Sequence, residues 1–113
     1  MVPGAFDAIA ELVAITDGNT WIVSKASSVT QAATRLWLGQ TGFYQRTGFP
    51  AGNIWFCERR ADKAGICRNL SICHFVDDQL EVLNHLREIV PNLYHFGVDP
   101  ILTWQDVLSA MRA

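Results

Sequence analysis

The sequence lacks the features that mark nucleic-acid-binding, membrane-spanning and secreted proteins. Its 113 residues hold 9 lysines and arginines against 11 aspartates and glutamates, with no basic stripe, which argues against a nucleic-acid partner. No apolar run approaches the roughly 20 residues that a membrane-spanning helix needs. The first residues show neither the positive nor the apolar region of a secretory signal. We therefore expect a cytoplasmic protein that binds neither nucleic acid nor membrane.

Cysteine is also scarce. Cys57, Cys67 and Cys73 are an odd number and show no C-x-x-C spacing, so the sequence does not predict a disulfide framework. We expect reduced, buried thiols. The alternative is a Cys/His metal site that uses His74.

What the sequence does have is a core-forming composition, with 50% hydrophobic and 18% charged residues. A chain of this length is expected to form a single domain, residues 1–113. Four short apolar runs, at residues 21–23, 54–57, 72–76 and 93–96, are typical of strands and alternate with segments of helical spacing. The pattern predicts an α/β fold: a three-layer, Rossmann-like parallel sheet of about four strands with helices on both faces.

The second predicted helix has apolar residues at helical spacing after a cap at Ser27 or Ser28. These apolar residues are Val29, Ala32, Ala33, Leu36 and Trp37. The spacing is typical of a helix that lies with one face on a sheet.

Two adjacent carboxylates follow the third predicted strand. In a parallel sheet, binding sites lie beyond the carboxyl ends of the strands, and Asp77 and Asp78 stand at such an end. Neighbouring carboxylates repel each other unless a cation intervenes, and Mg²⁺ prefers such ligands. The pair is therefore a candidate metal site. The alternative is that Asp78 caps the next helix and Asp77 is solvated.

Two further residues stand at similar ends. Ser24 closes the first strand, where its hydroxyl and the following N–H groups suit a phosphate oxygen; the alternative is a plain helix cap or turn. Lys63 lies in the first turn of a helix, where the macrodipole disfavours a cation unless an anion is held nearby. The alternative for Lys63 is a solvated side chain. Together with the two carboxylates, these residues suit a phosphate ester and magnesium.

The order of these residues resembles the second, third and fourth motifs of the haloacid dehalogenase-like hydrolases, in a small bacterial branch. The resemblance runs from about Val2 to the end of the chain. Its segments are 23–26 (Val-Ser-Lys-Ala), 43–48 (Phe-Tyr-x-x-Thr-Gly), 61–64 (Ala-Asp-Lys-Ala), 74–78 (His-Phe-Val-Asp-Asp) and 93–97 (Leu-Tyr-x-Phe-Gly).

The resemblance implies roles for four residues in an Mg²⁺-dependent phosphatase that acts on a small phosphorylated molecule. Ser24 would bind the phosphoryl group and Lys63 would stabilise charge on it. Asp77 and Asp78 would help to hold Mg²⁺.

The family's first motif is missing. It is a central strand ending in Asp-x-Asp, which supplies the nucleophile and the general acid/base. No Asp-x-Asp occurs in this sequence, and Asp17, in an Asp-Gly-Asn turn, is the only near approach. Catalysis through an aspartyl-phosphate is therefore expected to fail, and weak phosphate and metal binding to persist.

The missing motif also has a structural consequence. The strands of Ser24 and Asp77 would flank the absent strand, and they would either pair directly or leave exposed edges that favour a homodimer. The chain is interpreted as the carboxyl-terminal part of a longer hydrolase or as a truncated, degenerate relative. The alternative is a non-catalytic domain of the same fold that binds phosphate or a partner chain.

Overall fold

The structure, a computed structural model, describes residues 4–112, along which helices and short strands alternate. The helices are α1 (Ala5–Thr16), α2 (Ser28–Gln40), α3 (Phe43–Thr47), α4 (Asp62–Leu70), α5 (Leu80–Leu86) and α6 (Trp104–Arg112). The strands are β1 (Ile22–Lys25), β2 (Ile54–Cys57), β3 (His74–Asp77) and β4 (Asn92–His95), and a 3-10 turn spans Ala51–Asn53. The predicted α/β class is confirmed. No helix in residues 4–112 is both long enough and apolar enough to cross a membrane.

The four strands form two parallel pairs. β1 pairs with β2, so that Ser24 lies opposite Phe56, and β3 pairs with β4, so that Asp77 lies opposite His95. Among residues 4–112 the structure contains these two two-stranded sheets, and a single sheet of four strands stays a prediction.

The described chain divides into two compact units. The N-terminal unit ends at Glu58 and contains α1 to α3 with β1 and β2; the C-terminal unit begins at Arg59 and contains α4 to α6 with β3 and β4. The expected single domain of residues 1–113 stays a prediction.

The N-terminal unit is held by an aromatic core. Its buried residues are Phe6, Leu38, Phe43, Phe49 and Ile54. The Phe6 and Phe43 rings meet edge to face with centroids 5.3 Å apart, an arrangement that adds to the burial of apolar area. Short α3 therefore carries core residues inside the glycine-rich segment between α2 and β2.

The C-terminal unit has an aliphatic core formed by Cys67, Val82, Leu86 and Val90. Of the apolar residues in α5, Val82, Leu83 and Leu86 are buried and Leu80 is half exposed. Thr103 and Asp106 form a reciprocal cap at the start of α6: the Asp106 N–H donates to Thr103 Oγ1, and Asp106 Oδ2 accepts the Thr103 N–H.

The apolar stripe of α2 points away from the core, so the expected burial of this face is wrong. Val29 is 79% exposed and Leu36 is 62% exposed, whereas Leu38 on the other side of the helix is buried. The physical reason is the docking of the opposite face: Arg35 donates to Ile54 O at 3.2 Å and its guanidinium lies over the Phe56 ring.

The three cysteines are thiols, but their burial differs from the expectation. Cys57 and Cys67 are buried, and Cys73 is exposed. The prediction of three buried thiols is thus wrong for Cys73, which lies one residue before β3 in the turn after α4, with its Sγ 3.7 Å from Ser71 O.

Candidate functional site

A buried ion pair joins the first turn of α4 to the carboxyl end of β3. Lys63 Nζ lies 3.1 Å from Asp77 Oδ2, and about nine-tenths of each side chain is buried, with exposed fractions of 9% and 10%. The pairing explains how a lysine is tolerated at a helix N-terminus, where the macrodipole alone disfavours it. The alternative of a solvated Lys63 is therefore wrong, and so is that of a solvated Asp77.

The local turn after β3 orients the Asp77 carboxylate. Its second oxygen, Oδ1, accepts the Gln79 backbone N–H at 2.8 Å, an aspartate turn across two residues. Both carboxylate oxygens therefore have a donor before any ligand binds. Asp78 is exposed and provides no side-chain cap to α5, whose N-cap residue is Gln79, so the capping alternative is also wrong.

The start of α4 is fixed by its own charges. Asp62 Oδ2 accepts the Arg59 backbone N–H at 3.2 Å, and Asp62 Oδ1 lies 3.4 Å from the Arg59 guanidinium. A carboxylate in the first helical turn suits the macrodipole. This arrangement holds the turn that carries Lys63 towards β3.

Two residues near the pair were not expected to belong to the site. Cys67 follows Lys63 by one helical turn and is fully buried; burial raises the pKa of its thiol to about 11, and the Lys63 charge acts in the opposite direction. His95 Nε2 lies 3.2 Å from Asp78 O. The sequence clue to His95 is its position at the end of β4, the strand beside Asp77.

The carboxylates at this site are the type of ligand that magnesium prefers, but they are few. Mg²⁺ binds through one or two carboxylates and keeps several waters or phosphate oxygens, and Asp77 with Asp78 supplies carboxylates of that type. Within residues 4–112, however, no group of three or more His, Cys, Asp or Glu side chains lies close enough to hold a metal. Since Lys63 already neutralises Asp77, any metal held here is expected to bind weakly.

His74, the candidate for a Cys/His metal site, has an aromatic partner in the structure. Its ring stacks on Tyr94 with centroids 5.9 Å apart, and Nδ1 lies 2.9 Å from the Tyr94 hydroxyl oxygen. Partial burial raises the pKa of Tyr94. The two side chains form a polar and aromatic pair on the β3–β4 sheet.

Ser24 lies in the N-terminal unit, as the third residue of β1. Its carbonyl oxygen lies 3.8 Å from Cys57 Sγ, while its hydroxyl has no hydrogen-bond partner within residues 4–112. The cap of α2 is Ser27, whose Oγ accepts the Thr30 N–H, so Ser24 is not the plain helix cap of the alternative. That Ser24 joins Lys63 and Asp77 in one constellation stays a prediction.

Asp17 has the role of a turn residue. It is the C-cap of α1 in the left-handed region, with φ of 54°, and its backbone N–H bonds the end of that helix. This agrees with the turn interpretation of the Asp-Gly-Asn segment.

No protein-family model matches the sequence, and neither a curated protein nor a solved structure does.

Proposed function

We propose that this chain is a haloacid dehalogenase-like scaffold that keeps the phosphate-binding and metal-binding residues of a phosphatase and lacks its nucleophile. The observation that carries the proposal is the buried ion pair of Lys63 and Asp77. A buried ion pair contributes little net stability compared with apolar residues of the same volume, so burying one at a strand end favours a functional reason over a stabilising one.

The charges of the pair suit a phosphate and a magnesium ion that bind together. The Lys63 ammonium would then face a phosphoryl oxygen, and the Asp77 and Asp78 carboxylates would face Mg²⁺, which neutralises phosphoryl charge when bound. Ser24 would donate its free hydroxyl to another phosphoryl oxygen. On binding, Lys63 would thus exchange the Asp77 carboxylate for a phosphoryl oxygen, and Asp77 would exchange the Lys63 ammonium for Mg²⁺.

We further propose that the two parallel pairs belong to one sheet with helices on both faces, in which β1 and β3 flank the position of a missing central strand. The support is that each strand is paired along one edge within residues 4–112. Parallel strands are normally found in larger sheets with both faces covered, so two separate pairs suit a sheet that has lost a strand.

Calorimetric titration with inorganic phosphate, with and without Mg²⁺, tests the binding part of this proposal. Weak binding that requires both Lys63 and Asp78 is expected, so Lys63→Met and Asp78→Asn should abolish the signal. Asp7→Asn, which alters an exposed aspartate on α1, is the matched control and should leave it unchanged. Equal binding of phosphate by the parent chain and all three variants would contradict the assignment of Lys63 and Asp78 to the binding site.

Release of phosphate from an aryl phosphate tests the catalytic part. The chain is expected to release none with or without Mg²⁺, because it has no Asp-x-Asp nucleophile. The same chain preceded by an apolar strand ending in Asp-x-Asp should gain Mg²⁺-dependent release, and Lys63→Met in that extended chain should remove it. Turnover by the chain as it stands would overturn the assignment of a missing nucleophile.

The second candidate is a non-catalytic domain that binds a partner strand at a sheet edge, as in a homodimer. The one-sided pairing of the strands favours it, because an exposed edge presents unpaired N–H and C=O groups. In this case Asp77→Ala would change folding or association and no phosphate binding would be measured. A monomer that binds phosphate would contradict this candidate.

A further inference from the structure

The exposed face of α2 is unusual for a surface helix. Val29, Leu36 and Trp37 are 79%, 62% and 44% exposed, and the two alanines between them are exposed as well. The solvent side of a surface helix normally carries charged residues. In α2 the only charged residue is Arg35, and its guanidinium bonds the Ile54 carbonyl on the other face.

The opposite face of α2 fixes this orientation. Leu38 is buried in the aromatic core, and Gln31 Nε2 donates to Ala26 O at 2.9 Å. Arg35 is held both by the Ile54 carbonyl and by the Phe56 ring, 5.0 Å from its guanidinium. Turning the apolar stripe inwards would break these contacts, so the stripe is a stable feature of the surface.

The stripe is self-complementary when reversed. Ala32 and Ala33 form its centre, and Val29 and Leu36 stand at equal distances on either side of that centre. In an antiparallel pair of such helices, Val29 of one copy lies opposite Leu36 of the other and the alanines lie opposite each other. Small residues at the centre allow the two helices to approach closely, and larger ones at the ends fill the space beside them.

We propose that α2 is a dimerisation surface that packs antiparallel against α2 of a second copy of this chain, about a two-fold axis between Ala32 and Ala33. A two-fold interface uses the same patch on both copies, which requires a self-complementary patch of this kind. The stripe brings no charged residues together across the axis. Trp37, at its edge and partly exposed, is of the residue type most enriched at the centres of such interfaces.

The other large apolar residues that are exposed in the N-terminal unit lie on other elements than α2. Ile15 on α1 and Trp55 on β2 are exposed at 59% and 43%, but each is separate from the α2 stripe in sequence and element. Single exposed apolar residues are normal on protein surfaces, whereas a contiguous patch indicates an interaction.

Sedimentation velocity over a range of protein concentrations tests the proposal. The chain is expected to change from monomer to dimer as its concentration rises. Leu36→Glu should raise the dissociation constant at least about tenfold, since it places an uncompensated charge in the interface on both copies. Ile15→Glu is the matched control, because Ile15 and Leu36 have almost the same exposed fraction, and its dissociation constant should stay that of the parent chain.

Disulfide cross-linking tests the orientation. In a Cys73→Ser background, an equimolar mixture of Val29→Cys and Leu36→Cys chains should form cross-linked dimers under mild oxidation. Either variant alone should not, because like positions lie about 10 Å apart along the axis at about 1.5 Å per residue, beyond the reach of a disulfide.

Other outcomes would contradict either the α2 interface or its antiparallel arrangement. A monomer at all concentrations, or equal effects of Leu36→Glu and Ile15→Glu, would overturn the α2 surface. Cross-linking of Val29→Cys with itself would overturn the antiparallel arrangement. A dimer that is unaffected by Leu36→Glu would instead point to the sheet edges.

Discussion

The two units build the same motif, a parallel pair of four-residue strands, and differ in how the polar end of the first strand is satisfied. β3 ends in Asp77, whose carboxylate accepts from the Lys63 ammonium and the Gln79 N–H. In β1 the Ser24 hydroxyl has no such partner within residues 4–112. A buried charge must be compensated inside the protein, whereas a half-exposed hydroxyl is satisfied by water. The C-terminal unit is thus preorganised at its strand end and the N-terminal unit is not.

The helices of the two units differ as well. α2 and α5 both carry leucine and valine at helical spacing, yet Leu86 of α5 is fully buried and Leu36 of α2 is 62% exposed. α5 covers the β3–β4 pair with its apolar residues, and α2 uses an arginine and one leucine to dock. The same pattern therefore led to a core in one unit and to a surface in the other.

The largest expected effect comes from breaking the ion pair. Lys63→Met should lower the free energy of unfolding by about 3–5 kcal/mol, because it leaves the Asp77 carboxylate buried without its cation. Ser24→Ala, one residue before the end of β1 in the other unit, should change it by less than about 0.5 kcal/mol. Urea unfolding followed by circular dichroism measures both, with Lys25→Met, at an exposed lysine, as the control.

Replacing both partners sharpens this result. Lys63→Met combined with Asp77→Asn should recover much of the stability lost in Lys63→Met, since no charge is then buried alone. A loss of less than about 1 kcal/mol in Lys63→Met would mean that water reaches Asp77 and that the two strand ends do not differ.

The same leucine-to-alanine substitution is expected to have very different effects on stability in α5 and in α2. Leu86→Ala should cost about 2–5 kcal/mol because it leaves a cavity in the aliphatic core. Leu36→Ala should change the stability by less than about 0.5 kcal/mol when measured at protein concentrations where the chain is monomeric. Similar values for the two variants would show that the α2 stripe is covered within the monomer.

The smallest expected effect is a pH dependence at α6. The backbone N–H groups of Leu102 and then Thr103 hold the pKa of Asp106 below its usual range. Since the folded state favours the charged carboxylate, the contribution is present above the usual aspartate range and is lost as the pH falls through the lowered pKa.

Thermal unfolding of the parent chain and of Asp106→Asn measures this contribution. The difference in melting temperature should be largest near neutral pH and should shrink as the pH falls below about 3.9. Glu88→Gln, at an exposed position of the same unit, is the control. A difference that stays constant with pH would rule out the charge of Asp106 as its cause.

Some elements were predictable because their causes are local. The β2 strand was expected at residues 54–57 and lies at Ile54–Cys57, since an apolar run between glycine-rich and charged segments has clear ends. β3 was expected at residues 72–76 and lies at His74–Asp77. The predicted bounds of β3 came from hydrophobicity, which indicates burial. The observed bounds come from hydrogen bonds to the neighbouring strand, so they differ from the predicted ones.

The candidate site was predictable in part. Lys63 was identified because a lysine in the first turn of a helix needs an anion, and this requirement depends on the helix alone. Its partner at 3.1 Å depends on how α4 packs beside β3. The Gln79 N–H could not be found by residue type, because every residue except proline has one.

The sequence by itself determined the alternation of helices and strands, the cap of α6 and the need of Lys63 for an anion, because these follow from the spacing and chemistry of neighbouring residues. Only the tertiary structure decided that Asp77 is that anion, that the strands pair two by two, and that the α2 stripe faces outwards. These outcomes depend on which of several possible faces and edges pack together, and the balance is settled by contacts between residues far apart in the chain.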